Sequence, residues 1–272
     1  MRRHPAVAGQ FYRDTAAALR EQVAGYLLPH AEKTAALGVV SPHAGLMYSG
    51  AVAGALYSRL RLPDTIVLIG PNHTGLGAPV SLMPEGTWET PLGSVEVDTG
   101  LARAILSRSV RIQEDTLAHL HEHSLEVQLP FLQSLKKEFR IVPVQMLDTR
   151  FETCMDVGRA VAEAIRERSG GGKVPDVLVV ASSDMSHYEQ ADRAREKDLL
   201  AIGRILELDP TGLHQTVKQY GITMCGYGPA VAMLNCSILR GATRAELVKY
   251  SNSGDVSGDY DQVVGYAGVI IV

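Results

Sequence analysis

The chain has 272 residues, 26 Lys and Arg against 30 Asp and Glu, and a formal charge of −4 with its nine His counted as neutral. Its 46% hydrophobic and 21% charged residues are those of an ordinary soluble globular protein, long enough to bury a sizeable core. Disorder, collagen-like repeats and a disulfide scaffold are excluded, and so near-neutral a charge argues against a nucleic-acid partner held by phosphate contacts.

At roughly 150 residues per domain the length allows one or two domains. The opening MRRHPAVAGQFY has two Arg but no apolar run behind them, so no secretory signal is expected. No stretch approaches the roughly 18 apolar residues of a membrane span. Cys154, Cys225 and Cys236 are too few and too unpatterned for a disulfide framework. The expectation is a cytoplasmic protein without a membrane partner, in a reducing compartment.

Taken in chain order, the apolar run 37–40 predicts a buried strand and the Ala-rich stretch 50–60 a helix. TIVLIG at 65–70 predicts a second strand, and 79–98, with Gly86, Pro91 and Gly93, a hairpin excursion. Helices are expected over 99–107 and 124–137, a strand over 140–146, and a helix over 156–167. GGGK at 170–173 reads as a connector into a strand at 176–181, followed by a helix at 191–206. A helix-like apolar segment opens at 224–229, and 245–250 and 263–272 are strand-like. Near-continuous apolar strands alternating with helices predict one layered α/β/α domain over residues 1–272 with a central, largely parallel or mixed sheet.

The polar residues concentrate just past those strands, where open α/β sheets bind their ligands. Ser41-Pro42-His43-Ala44-Gly45, Gly70-Pro71-Asn72-His73 and Ser182-Ser183-Asp184-Met185-Ser186-His187 each follow an apolar run. Met224-Cys225-Gly226 and Glu122-His123-Ser124 each open a helix-like segment. Singly, each His is an ordinary turn or capping residue, Asp184 an N-cap and Cys225 a small buried hydrophobe. Jointly they point to a metal or catalytic centre. Two His and one anion, either a carboxylate (Asp184 or Glu122) or the Cys225 thiolate, leave open positions on an ion, as Fe(II) and Zn sites do, whereas a thiolate shifts preference towards softer ions such as Cu(I).

His119-Leu120-His121-Glu122-His123 matches the H-x-x-E-H pattern of inverted zinc peptidases. The helix signals begin only at Ser124, and the match has few fixed positions in a His-rich stretch. There is no G-x-S-x-G elbow and no phosphate-binding G-x-x-x-x-G-K-[ST] loop.

These motifs carry a resemblance. Arg3-x-Pro-Ala-Val-Ala-Gly-x-Phe-Tyr12, Pro42-His43-Ala44-Gly45, Tyr48-Ser49-Gly50, Gly70-Pro71-Asn72-His73, Trp88-Glu89-Thr90-Pro91-Leu92-Gly93, Glu122-His123-Ser124-Leu125-Glu126, Ser182 to His187 and Cys225-Gly226 stand in this order. The chain resembles the MEMO family over nearly its whole length, and that family is similar in fold to the LigB-type class III extradiol dioxygenases. The resemblance implies metal ligands at His43, His73 and Cys225, where the dioxygenases carry Glu as the third ligand. It places Asp184 and His187 in the same pocket as catalytic residues, with His187 at the position of a general base and Asp184 orienting it. Glu122 and His123 would support the ligands by fixing a tautomer or touching substrate, and Trp88 is either an aromatic wall or core.

The implied activity is that of an Fe(II)- or Cu-dependent redox enzyme similar to a dioxygenase, with Zn as the alternative ion, acting on a small molecule. The other implied reading is a non-catalytic scaffold that binds metal or a peptide through a vestigial pocket. The family resemblance further implies pathway association with radical-SAM and AMMECR1-type proteins. Cys154 and Cys236 are expected to be structural.

Overall fold

The computed structural model describes residues 1–169 and 176–272, so the connector expected at 170–173 lies outside the described residues. Four strands form the centre of the sheet, in the order Arg140–Met146, Thr65–Pro71, Val177–Ser182 and Gly38–Ser41. All three of their pairings are parallel, with Ile66 opposite Ile141 and Leu178, and Val40 opposite Ala181. Thr65–Pro71, Val177–Ser182 and Gly38–Ser41 are buried at every residue. That is why they read as unbroken apolar runs, since helices cover both faces.

Among the described residues the sheet has twelve strands in all. On one side of the centre the hairpin Thr87–Thr90 and Gly93–Val97 extends it, with Arg2–Arg3 paired parallel to the outer arm. On the other side Val263–Ile271 runs antiparallel to Gly38–Ser41 and pairs with Ala245–Asn252. The sheet is therefore mixed at its margins and parallel at its core. The long helix Phe151–Ser169 packs on Tyr227–Leu239, so closely that a Cβ at Gly158 would meet the Ala232 carbonyl at 2.4 Å. Leu46–Ser58 covers the antiparallel pair near the C-terminus.

Several expected elements shift. The helix expected over 124–137 divides into a 3-10 turn, Glu126–Gln128, and a short helix, Leu129–Leu135. Pro130 stands at the start of the latter, and its ring excludes a continuous α-helix back through Glu126. The helix expected at 156–167 starts earlier, at Phe151, and the one expected at 50–60 starts at Leu46. The helices Ala16–Ala24 and Pro210–Gln219 have short amphipathic patterns that sequence reading passed over; side chains of Thr15 and Asp209 cap their N-termini. Trp88 is fully buried beneath the Arg3 guanidinium, 4.5 Å from its ring centroid, so it belongs to the core and walls no pocket. Cys154 and Cys236 are likewise buried and free. Among the described residues no helix is long and apolar enough to cross a membrane.

Candidate metal centre

The parallel core delivers polar side chains to one edge of the sheet. His43 lies two residues beyond Ser41, His73 two beyond Pro71 and Asp184 two beyond Ser182, each strand ending on the same side. The irregular segment between Leu117 and Gln128 crosses that edge and adds Glu122 and His123. One nitrogen from each of His43, His73 and His123 lies within 4.8 Å of the other two. The rings crowd together: His73 stacks on His123 at 4.9 Å, and His43 stands edge-on to His73 at 5.3 Å and to His123 at 5.5 Å. His43 is buried, His123 half-buried and His73 exposed, so the cluster opens to solvent on the His73 side.

The hydrogen bonds determine which nitrogens are available. Ser182 has one hydroxyl hydrogen, and it goes to the Ser124 carbonyl at 2.6 Å. Ser182 Oγ therefore accepts from the Gln128 amide at 2.9 Å and from His43 Nδ1–H at 2.8 Å. Gln128 is held in that orientation because its Nε2 also donates to the Pro42 carbonyl and its Oε1 accepts from Tyr57. With its hydrogen on Nδ1, His43 keeps a lone pair on Nε2.

His73 donates Nδ1–H to Glu122 Oε1 at 3.0 Å, which likewise leaves its Nε2 as the basic nitrogen. The same Oε1 accepts the backbone N–H groups of His123 and Ser124, both at 2.9 Å, and faces His123 Nδ1 at 3.3 Å. A carboxylate behind an imidazole is the arrangement that orients metal-binding histidines and raises their basicity.

Charge states follow from burial and neighbours. Burial pulls His43 well below the ordinary imidazole value, and the neighbouring His123 and His73 would repel a proton there too. His123 is also lowered, first by burial. Burial works to raise Glu122, but the His73 hydrogen bond and charge together with the Ser124 N–H outweigh it and hold the carboxyl at about 2. The result is that burial disfavours a proton on His43 and His123 while Glu122 stays an anion.

Cys225 and Asp184 flank His43 on its other side. Cys225 Sγ lies 3.4 Å from His43 Nε2 and accepts the Asp184 backbone N–H at 3.3 Å. Burial and the Asp184 charge raise the Cys225 thiol far above its ordinary value, so without an ion it is a protonated donor to His43. Asp184 Oδ1 accepts the N–H groups of His43 at 2.8 Å and Ala44 at 3.3 Å, and Oδ2 lies 4.0 Å from His43 Nε2. Burial raises this carboxyl despite those bonds.

His187 donates Nδ1–H to the Thr223 carbonyl at 2.9 Å, while its own N–H donates to Thr223 Oγ1. Its charge would bear on both His43 and Asp184. His119 is separate: it is fully buried, and its Nε2 meets Ser81 Oγ at 3.0 Å. The H-x-x-E-H stretch thus forms no α-helix and its two outer histidines serve different places.

The expected ligand trio and the observed cluster differ in one member. His123, expected only to support the ligands, stands among the three converging imidazoles, and Cys225 stands beside His43 just outside that trio. The density of His between 119 and 123 was the available signal for His123. Ser182, Gln128 and Thr223, which set the histidine tautomers, had no signal of their own, because their partners lie far away in the chain.

A family described as Memo-like protein matches residues 3–270. A MEMO1 family protein of Methanothermobacter thermautotrophicus is 47% identical over 98% of this chain and 99% of its own length. MEMO1 family proteins of Methanosarcina mazei and Aquifex aeolicus are 46% and 43% identical, each over 99% of this chain. In fold, the chain is similar to an uncharacterized protein of Escherichia coli K12 whose crystal structure superposes with a TM-score of 0.57, at 13% identity, over 86% of this chain and 98% of that one.

Proposed function

This chain belongs to the Memo-like protein family, and on that premise we propose that it is a metal-dependent redox enzyme whose ion is held by His43, His73 and His123, with Cys225 as a fourth donor. The observation that carries the reading is the set of imidazole nitrogens within 4.8 Å of one another, in tautomers set by Ser182 and Glu122. Neutral imidazoles suit Fe, Cu, Zn and Ni. Fe(II) or Cu is the proposed ion because imidazole suits both and a Cys225 thiolate shifts preference towards softer ions such as Cu(I). When bound, such an ion supplies the electron-transfer and Lewis-acid capacity of the site.

The chain's own groups would manage protons. His187, with its hydrogen on Nδ1, presents Nε2 as the base that takes a proton from a substrate hydroxyl. Asp184, raised by burial, holds the His43 and Ala44 backbone in place and bears on His187 electrostatically. The proposed substrate is a small molecule entering from the open His73 side.

Exposed apolar side chains favour a second reading. Met47, Leu76 and Tyr188 are 57%, 42% and 75% exposed, and they sit four, three and one residues beyond His43, His73 and His187. Tyr188 also holds a strained positive φ of 58°. A partner peptide could cover such a rim without any chemistry occurring. Oxygen uptake by anaerobically iron-loaded protein, wild type beside His187→Ala, separates the readings. Turnover of small phenolic compounds that drops at least about tenfold in the variant supports the enzyme; metal binding without turnover of any offered compound supports the scaffold.

A further inference from the structure

The N-terminal motif Arg3 to Tyr12 lies outside the cluster, yet it grips two of the segments that carry the donors. Arg3 is 1% exposed. Its Nε donates to the His119 carbonyl at 2.9 Å and its Nη2 to the Glu122 carbonyl at 2.6 Å, while Nη1 pairs with the Glu126 carboxylate. One planar guanidinium thus spans the start, middle and end of the irregular segment bearing Glu122 and His123. A Lys ammonium cannot reproduce that fork.

Glu126 in turn binds the N-terminal segment. It accepts the N–H of Ala6 at 2.7 Å, the N–H of Val7 at 3.2 Å and the Tyr12 hydroxyl. Between these anchors the chain makes a tight loop in which Gly9 adopts a φ of 80° and donates its N–H to the Tyr12 carbonyl. That positive φ suits glycine, which has no Cβ to clash. The loop presents Phe11, whose ring lies 4.7 Å from that of His123. The Phe11 carbonyl accepts the Leu46 N–H at 2.7 Å, at the first turn of the helix that follows His43.

We propose that residues 3–12 are a clamp that positions the metal centre: Arg3 fixes the backbone carrying Glu122 and His123, and Phe11 fixes the His123 ring against the His43 loop. This rests on the proposed metal reading. Arg3 and Phe11 are positioning residues and touch no ion.

The test uses Co(II) as probe, because its visible absorption reports ligand geometry as well as occupancy. Phe11→Ala and Arg3→Lys are compared with wild type by calorimetric titration and by the spectrum of the loaded full-length protein, and Phe11→Leu serves as the conservative variant. Leu19→Ala, in the neighbouring helix Ala16–Ala24 and fully buried, controls for general destabilisation. The clamp predicts about 10- to 100-fold weaker binding for Arg3→Lys, about tenfold for Phe11→Ala, altered spectra for both, partial recovery in Phe11→Leu, and an unchanged spectrum in Leu19→Ala. Should Phe11→Ala and Arg3→Lys fail to fold, the altered spectrum is required of Phe11→Leu. Wild-type affinity and spectrum in the folded Arg3 and Phe11 variants, or a spectral change in Leu19→Ala equal to theirs, overturns the clamp alone. A wild type that binds no Co(II) overturns the metal reading and the clamp with it.

Discussion

Glu122 and Asp184 are both buried carboxyls beside the imidazole cluster, and their surroundings drive them in opposite directions. Glu122 meets His73, His123 and three backbone N–H groups, and is held at about 2 despite its burial. Asp184 is also buried, but its hydrogen bonds come only from backbone N–H groups, with the nearest imidazole nitrogen at 4.0 Å, and its carboxyl is raised. Burial alone therefore does not decide the charge of a carboxyl; what decides it is whether cationic or donor side chains converge on it. Such a split pair separates a carboxyl kept as a fixed anion from one whose ionisation its surroundings oppose. In the proposed reading, the Glu122 side orders nitrogens for an ion and the Asp184 side handles protons near His187.

The largest effects should come from the nitrogens themselves. His73→Ala or His43→Ala should weaken Co(II) or Zn(II) binding by more than the roughly 100-fold that a partner behind a ligand is worth, as read by competition with a chelator. Next in size is the contrast between the two carboxyls. Glu122→Gln keeps the shape, loses the charge, and should lower affinity about 10- to 100-fold. Asp184→Asn keeps an oxygen for the His43 and Ala44 N–H groups and should leave affinity within about threefold, far below the cost of losing a partner behind a ligand. Equal losses in the two variants would erase the distinction between the two sides.

Acid unfolding of the metal-free protein sharpens the same contrast. The folded value of Glu122, about 2, is below its ordinary 4.5, so its stabilisation is complete above about pH 4.5 and is lost as pH falls towards 2. Wild type minus Glu122→Gln should show that loss, on the order of 3 kcal/mol across the window, in urea titrations with a chelator present. Asp184 has the opposite sign: its raised value costs stability as pH rises past the ordinary carboxylate range, so Asp184→Asn should gain on wild type as the pH increases. The smallest effect concerns Cys225, whose thiol proton faces His43 Nε2. Ion binding should release about one proton fewer in Cys225→Ser than in wild type, measured by calorimetry in buffers of different ionisation enthalpy.

The strand-borne part of this site was legible because it follows a local rule. TIVLIG and VLVVA are short, β-branched apolar runs that read as buried strands, and the titratable groups that first follow them, His73 and Asp184, reach one edge of the sheet. Glu122 and His123 were expected beside the ligands, but the convergence of His123 with the other two imidazoles was not legible. Its segment has no regular period: two 3-10 turns ahead of the short helix that Pro130 opens leave nothing for a helical or strand pattern to detect. The tautomer-setting contacts depend on pairings across the fold, His43 with Ser182 at a separation of 139 residues and His73 with Glu122 at 49. Only the assembled sheet makes them neighbours. Trp88, which its motif left as either pocket wall or core, is core, packed beneath Arg3.

The central claim is that imidazoles converge here on an ion. Extended X-ray absorption at the metal edge of the iron-loaded protein tests it most directly. The account predicts multiple scattering that fits three imidazoles, with one sulfur added where Cys225 joins, and loss of one imidazole in His123→Ala. A spectrum fitted by oxygen donors alone, unchanged in His123→Ala, would contradict it.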